Sequence, residues 1–153
     1  MSAVSTIHWV MIGLSVACWA VMAFEDARHR SVPLWMLLIF LGLCTGALLS
    51  GSWHVRQMII SPAASFGFFG LAFVLARGRM GGSDVWVATG LSVFVAWYDL
   101  PYAWVGASVS GLLFIFVKRL VSKKSGVLGE RVPFIPSLGL GYFGWVLFAG
   151  WPA

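Results

Sequence analysis

Acidic side chains are the groups with which this sequence could do chemistry, and it contains only five of them: Glu25, Asp26, Asp84, Asp99 and Glu130. Asp26 and Asp84 each border a long apolar run, whereas Asp99 and Glu130 lie in predicted loops. Two carboxyl groups that share a site cannot both ionise cheaply, so one keeps a proton and the pair titrates as a unit. Such a pair can activate water and polarise a scissile carbonyl, as in aspartic proteases, without a metal or organic cofactor.

The elements that must position these acids are predicted to be membrane helices. Of the 153 residues, 60% are hydrophobic and 10% are charged, whereas an ordinary soluble domain has roughly 45–50% apolar and about 25% charged residues. The mean hydropathy is +0.92. The composition excludes a soluble globular protein and predicts an all-α integral membrane protein, with residues 1–153 forming a single polytopic domain.

Apolar runs between charges and turn residues predict about six transmembrane helices. They cover roughly residues 8–25, 34–50, 57–76, 84–98, 102–118 and 133–151. The third run contains Pro62, which predicts a kink that neighbouring helices accommodate. Asp26 comes directly after the first run, and Asp84 begins the fourth.

Basic residues predict the orientation of these helices. Nine of the ten lysines and arginines follow the first, third or fifth run, and only Arg56 falls on the opposite side. The positive-inside rule makes the basic side cytoplasmic, in an inner membrane, with both termini outside. Asp26 and Asp84 then share the cytoplasmic face. Anionic lipid headgroups account for the net charge of +5, so we expect no nucleic-acid partner.

Each of the two aspartates also has a purely structural explanation. Asp26 could pair with Arg28 or Arg30, and Asp84 could cap the start of the fourth helix. Against this stands the cost of placing acids at the membrane edge, which makes each a candidate functional residue. The two cysteines and three histidines form no pattern typical of a metal site, so we expect no metal and no cofactor.

Three segments resemble motifs of the type IV prepilin peptidases, which are membrane aspartic proteases of the GxGD type. Residues 26–33 read DARHRSVP and resemble the family's D-x-R-x-R-x-I/V-P motif. Residues 81–84 read GGSD and resemble G-x-G-D, and residues 133–141 read PFIPSLGLG and resemble P-F-x-P-x-L-x-x-G. The three segments occur in the family's order, and its peptidase core also has six spans.

The resemblance implies roles for particular residues. Asp26 and Asp84 are the implied catalytic pair, and the residues implied to position the loop or bind substrate are Gly81, Gly82, Ser83, Arg28, Arg30 and Pro33. The implied reaction removes the basic leader of a prepilin or pseudopilin at the cytoplasmic face. The insert with paired cysteines that longer members carry for N-methylation is absent, so the resemblance implies no methyltransferase activity. The short form is similar to Tad/Flp-type prepilin peptidases and to preflagellin peptidases.

Three positions depart from the family's motifs. Leu34 replaces an asparagine, Ser83 replaces the second glycine of G-x-G-D, and Trp86 replaces a lysine. Because serine resists backbone angles that glycine adopts, Ser83 predicts an altered turn before Asp84. These departures leave two alternatives open: a catalytically inactive scaffold or pilus-assembly partner of the same fold, and a small proton-coupled carrier. The oligomeric state and the particular prepilin are not specified by the sequence.

Overall fold

The protein is all-helical wherever its structure is described. The computed structural model describes residues 3–29, 31–51, 55–77, 80–121 and 134–149, and no strand occurs within these ranges. The helices are α1 (Ala3–His29), α2 (Leu34–Ser50), α3 (Val55–Leu75), α4 (Gly82–Leu91), α5 (Leu100–Val121) and α6 (Phe134–Ala149). A short 3-10 turn, Ser92–Phe94, follows α4.

Two of these helices are long and apolar enough to cross a membrane, by length and composition: Thr6–His29 and Leu100–Val117. The apolar helices Leu34–Ser50, Ile59–Leu75 and Phe134–Ala149 are shorter. The helical part of the prediction is therefore confirmed, and the protein has the character of a helical membrane protein. Helix α1 continues past the predicted end at residue 25, so Asp26 lies inside its last turn and not after it.

The predicted fourth span is helical only in its first part. An unbroken helix over residues 84–98 was expected, but α4 ends at Leu91 and Val95 is extended, with φ −125° and ψ 135°. The Ser92 hydroxyl donates to the carbonyl oxygen of Thr89 at 2.6 Å, which competes with a regular helical bond. Ten helical residues span only about 15 Å, half of a hydrocarbon core of about 30 Å.

The irregular segment after α4 is buried inside the protein, which explains why it is tolerated. Residues 92–96 are all buried. The Ser61 hydroxyl on α3 donates to the carbonyl oxygen of Val95 at 3.2 Å. A non-helical backbone at membrane depth requires such internal partners, because lipid offers none.

Helices α4 and α6 lie at the centre of the packing. Helix α4 contacts α2, α3 and α6, and α6 contacts α1, α4 and α5. The closest approach is between α5 and α6, where a Cβ on Gly141 would overlap the backbone of Ala103 and Ala107. Helix α6 therefore links the helix that carries Asp26 to the helix that carries Asp84.

Candidate active site

Asp26 is held by the first turn of a helix that is distant in sequence. Its Oδ2 atom accepts a hydrogen bond from the backbone N–H of Ile135 at 3.3 Å. The backbone N–H of Phe134 also stabilises the ionised carboxyl group. The first amides of a helix have no partner within the helix, and they favour negative charge. Asp26, which is partly exposed, thus supplies an acceptor that α6 itself lacks.

Asp84 is held by its own helix. Its Oδ2 atom accepts the backbone N–H of Gly81 at 3.1 Å, and its own N–H donates to the carbonyl oxygen of Gly81 at 3.1 Å. The residue is 7% exposed. The structural explanation of Asp84 is correct in kind but wrong in position, because Gly81 is the N-cap and Asp84 is the third residue of α4.

The two carboxyl groups lie close enough to interact electrostatically across the α1–α4–α6 junction, although 58 positions separate them along the chain. Within the described ranges, no three His, Cys, Asp or Glu side chains cluster as metal ligands. What the junction offers chemically is a buried carboxyl and a partly exposed one, each with an amide on Oδ2. Such a pair can take a proton from water with one group and donate a proton with the other.

The glycine-containing segment before Asp84 adopts an ordinary conformation. Gly81 is extended, with φ −75° and ψ 139°, and Gly82 and Ser83 belong to α4. Among the described residues other than glycine, only Arg77 has a positive φ, of 47°. The predicted distortion of the turn by Ser83 is therefore wrong, because a helical serine needs no angle that only glycine can reach.

Gly81 is instead constrained by space. A Cβ at this position would lie 3.2 Å from Oδ2 of Asp84 and 3.3 Å from the Ser83 hydroxyl, whereas a Cβ on Gly82 would meet nothing within 4 Å. The absence of a side chain at residue 81 thus lets the Asp84 carboxyl turn back onto the backbone of the cap.

Of the remaining predicted site residues, the structure describes Arg28 and Pro33. Arg28 is exposed, and within the described part of the chain it forms no ion pair or hydrogen bond with either aspartate. Pro33 starts α2, where its carbonyl oxygen accepts the N–H groups of Met36 and Leu37 at 3.1 and 3.3 Å. Arg30 lies outside the described residues, so its predicted pairing with Asp26 does too.

Sequence reasoning missed the group that holds Asp26, which is the backbone of Ile135. In the sequence, the proline-containing stretch at the start of α6 is marked only by its motif match. Its physical signal is available in the sequence: Pro136 has no N–H, so Phe134 and Ile135 supply the free amide donors of this first turn. What the stretch contacts was not predictable from it.

Comparison with known proteins places the chain in a family. A sequence profile of the type IV leader peptidase family matches residues 13–116 of the 153-residue chain, a region that includes both Asp26 and Asp84. No curated protein and no solved structure matches the chain significantly. The match extends over most of the chain and agrees with the motif resemblance, and we conclude that the chain belongs to the type IV leader peptidase family.

Proposed function

We propose that this protein is a membrane-embedded aspartyl endopeptidase that removes the basic leader from prepilins or pseudopilins of the Tad/Flp-like type. Asp26 and Asp84 activate the water, and no methylation of the new amino terminus follows. The observation that carries the proposal is that two carboxyl groups from distant parts of the chain come within range of electrostatic repulsion. Family membership supports a leader peptidase in general.

The reaction follows from the chemistry of a carboxyl pair. An ionised carboxylate removes a proton from water, whose oxygen attacks the scissile carbonyl carbon. The protonated carboxyl donates its proton to the carbonyl oxygen, which gives a neutral tetrahedral diol. The diol collapses when the protonated carboxyl passes its proton to the nitrogen of the leaving strand and the other carboxylate takes a proton from a diol hydroxyl, and the carbon–nitrogen bond breaks. The dyad ends with one proton, as it began.

We also propose that six membrane-spanning elements place this site at the cytoplasmic face of the inner membrane, with both termini outside. The support is the distribution of basic residues, nine of ten on one side. The fourth element spans the membrane as α4 together with the buried irregular segment that follows it. Single cysteines near the ends of the helices, labelled with a membrane-impermeant maleimide, test the orientation.

Cleavage of co-expressed prepilins tests the proposed activity. A panel of leader-bearing Tad/Flp-like prepilins is expressed with the wild type, Asp26→Asn or Asp84→Asn, and the leader's removal is followed by gel shift. We expect the wild type to cleave and each Asn variant to lose at least about 100-fold in rate. Cleavage that survives both substitutions contradicts the dyad.

Two acids outside the dyad serve as matched controls. Glu25 pairs with His29 at 2.7 Å on the surface of α1, and Asp99 precedes α5. Glu25→Gln and Asp99→Asn each remove one carboxylate, as the test variants do, and we expect both to cleave within about twofold of the wild type. If no member of the panel is cleaved by the wild type, the inactive scaffold gains support.

A further inference from the structure

Two side chains of α1 form hydrogen bonds with the backbone of one residue of α6, Ile135. Asp26 accepts the N–H of Ile135 at 3.3 Å, and the indole Nε1–H of Trp19 donates to the carbonyl oxygen of Ile135 at 3.2 Å. Trp19 and Asp26 are seven residues apart, which is two helical turns, so they lie on one face of α1. Ile135 itself is fully buried.

The antiparallel direction of α1 and α6 allows both hydrogen bonds to Ile135. Trp19 packs edge-on against Phe143, with ring centroids 5.2 Å apart, while Asp26 contacts Ile135, so α1 and α6 run antiparallel. Helical N–H groups point toward the amino terminus of their helix and carbonyl groups toward the carboxyl terminus. The N–H of Ile135 therefore faces the Asp26 end of α1, and its carbonyl faces Trp19.

A glycine on α6 makes room for the indole. A Cβ at Gly139 would overlap the Cε2 and Cζ2 atoms of Trp19. Gly139 is one turn after Ile135, so the side-chain-free position lies beside the carbonyl that the indole reaches. Any larger residue at 139 would displace Trp19 from Ile135.

We infer that Trp19 is a positioning residue of the active site, which holds the first turn of α6 in register through Ile135 so that the amide of that turn orients the Asp26 carboxylate. The inference rests on the proposed function, because it assigns Trp19 a part in that reaction. Trp19 touches neither water nor substrate in this role. It acts through the backbone of Ile135. Gly139 leaves the space that the indole ring occupies.

Removal of the indole donor tests the inference. Trp19→Phe keeps an aromatic ring and deletes the N–H, and we expect kcat for prepilin cleavage in detergent to fall about tenfold with KM within about twofold. Trp104→Phe is the matched control, since the partly buried Trp104 donates to the Tyr142 hydroxyl at 2.8 Å, also on α6 but two turns beyond Ile135. We expect its kcat to stay within about twofold of the wild type.

Hydrogen exchange supplies a measurement that does not depend on cleavage. In Trp19→Phe the amide of Ile135 exchanges faster, by about tenfold, because the turn that carries it is no longer held. In Trp104→Phe its exchange is that of the wild type. Gly139→Ala disturbs the contact between Trp19 and Ile135 from the side of α6, and we expect the same fall in kcat and the same faster exchange at Ile135. The inference can therefore be tested even if Trp19→Phe does not fold.

The outcomes separate this inference from the proposed function. If the wild type cleaves and Trp19→Phe keeps its kcat, or changes only KM, the positioning role is overturned while the peptidase stands. An unchanged exchange rate at Ile135 in both Trp19→Phe and Gly139→Ala also overturns it. If the wild type cleaves nothing but Ile135 exchanges faster in both variants, the proposed peptidase fails and the positioning role of Trp19 in that reaction is overturned with it. The hydrogen bond from Trp19 then only stabilises the first turn of α6.

Discussion

The two aspartates are held in opposite ways. Asp84 accepts a hydrogen bond from Gly81, three residues earlier in the chain, whereas Asp26 accepts one from Ile135, 109 residues later. The first contact forms as soon as α4 begins, because it belongs to the helix start. The second exists only when α6 is seated against α1. The position of the Asp84 carboxyl is therefore a product of local structure, and that of the Asp26 carboxyl is a product of tertiary packing.

This difference predicts that the site fails in two separable ways. Substitutions around Gly81 act on Asp84 alone and leave the helix packing intact. Substitutions that move α6 act on Asp26, and they also change the stability of the whole protein, since α6 contacts α1, α4 and α5. Paired measurements of unfolding and of cleavage distinguish the two.

The largest effect is expected from Gly141→Ala, which disturbs the packing of α6 that positions Asp26. The added Cβ would overlap backbone atoms of Ala103 and Ala107, which cannot give way as a side chain can. We expect the free energy of unfolding to fall by about 1–3 kcal/mol. Because α6 shifts away from Asp26, cleavage falls by about 100-fold.

Thermal unfolding in detergent measures the change in stability. In a Cys18→Ala background, the remaining thiol of Cys44 is 2% exposed and reacts with a fluorogenic maleimide only as the protein opens. Gly144→Ala is the control on the same helix, since a Cβ there meets nothing within 4 Å. Equal unfolding temperatures for the two variants would show that the α5–α6 crossing is not as close as described.

A smaller effect, confined to activity, is expected from Gly81→Ala, which perturbs the local contact between residue 81 and the Asp84 carboxyl. The new Cβ would lie 3.2 Å from Oδ2 of Asp84, so the carboxyl must move by a few tenths of an ångström. We expect kcat to fall by about tenfold, because small displacements of a catalytic group reduce its efficiency steeply. The unfolding temperature stays near that of the wild type.

Gly82→Ala is the neighbouring control, because its Cβ points into open space. Cleavage by this variant is expected within about twofold of the wild type. If Gly81→Ala and Gly82→Ala behave alike, the space beside the Asp84 carboxyl does not matter for the reaction.

The smallest effect is expected from Ser83→Gly, which restores the family's G-x-G-D motif. This variant tests whether the turn before Asp84 needs a second glycine. Ser83 is helical, so glycine offers no new angle that the site needs. We expect cleavage within about twofold of the wild type and, from the lower helix propensity of glycine, a loss of stability of up to about 1 kcal/mol. A large gain in cleavage rate would show that the turn before Asp84 requires glycine after all.

The sequence by itself determined the local features of this protein. Apolar runs predicted the six α-helices of the described residues, with α2 matching its predicted limits of residues 34 and 50 at both ends. Asp26 and Asp84 were singled out because acids are rare in such a chain and border its apolar runs. The contact between Gly81 and Asp84 is also local, since backbone geometry at a helix start brings the first residues of the helix close to the cap.

Only the tertiary structure decided which helices meet at the aspartates. Hydropathy measures side chains and not backbone hydrogen bonds, so it predicted α4 as an unbroken span and overlooked that Ser61 satisfies the irregular backbone at Val95. Likewise, nothing near Trp19 or Asp26 in the sequence indicates Ile135, because the contact of both side chains with that residue depends on the antiparallel packing of α1 and α6. The partner of a helix terminus is set by which neighbour reaches it, and that is a property of the whole fold.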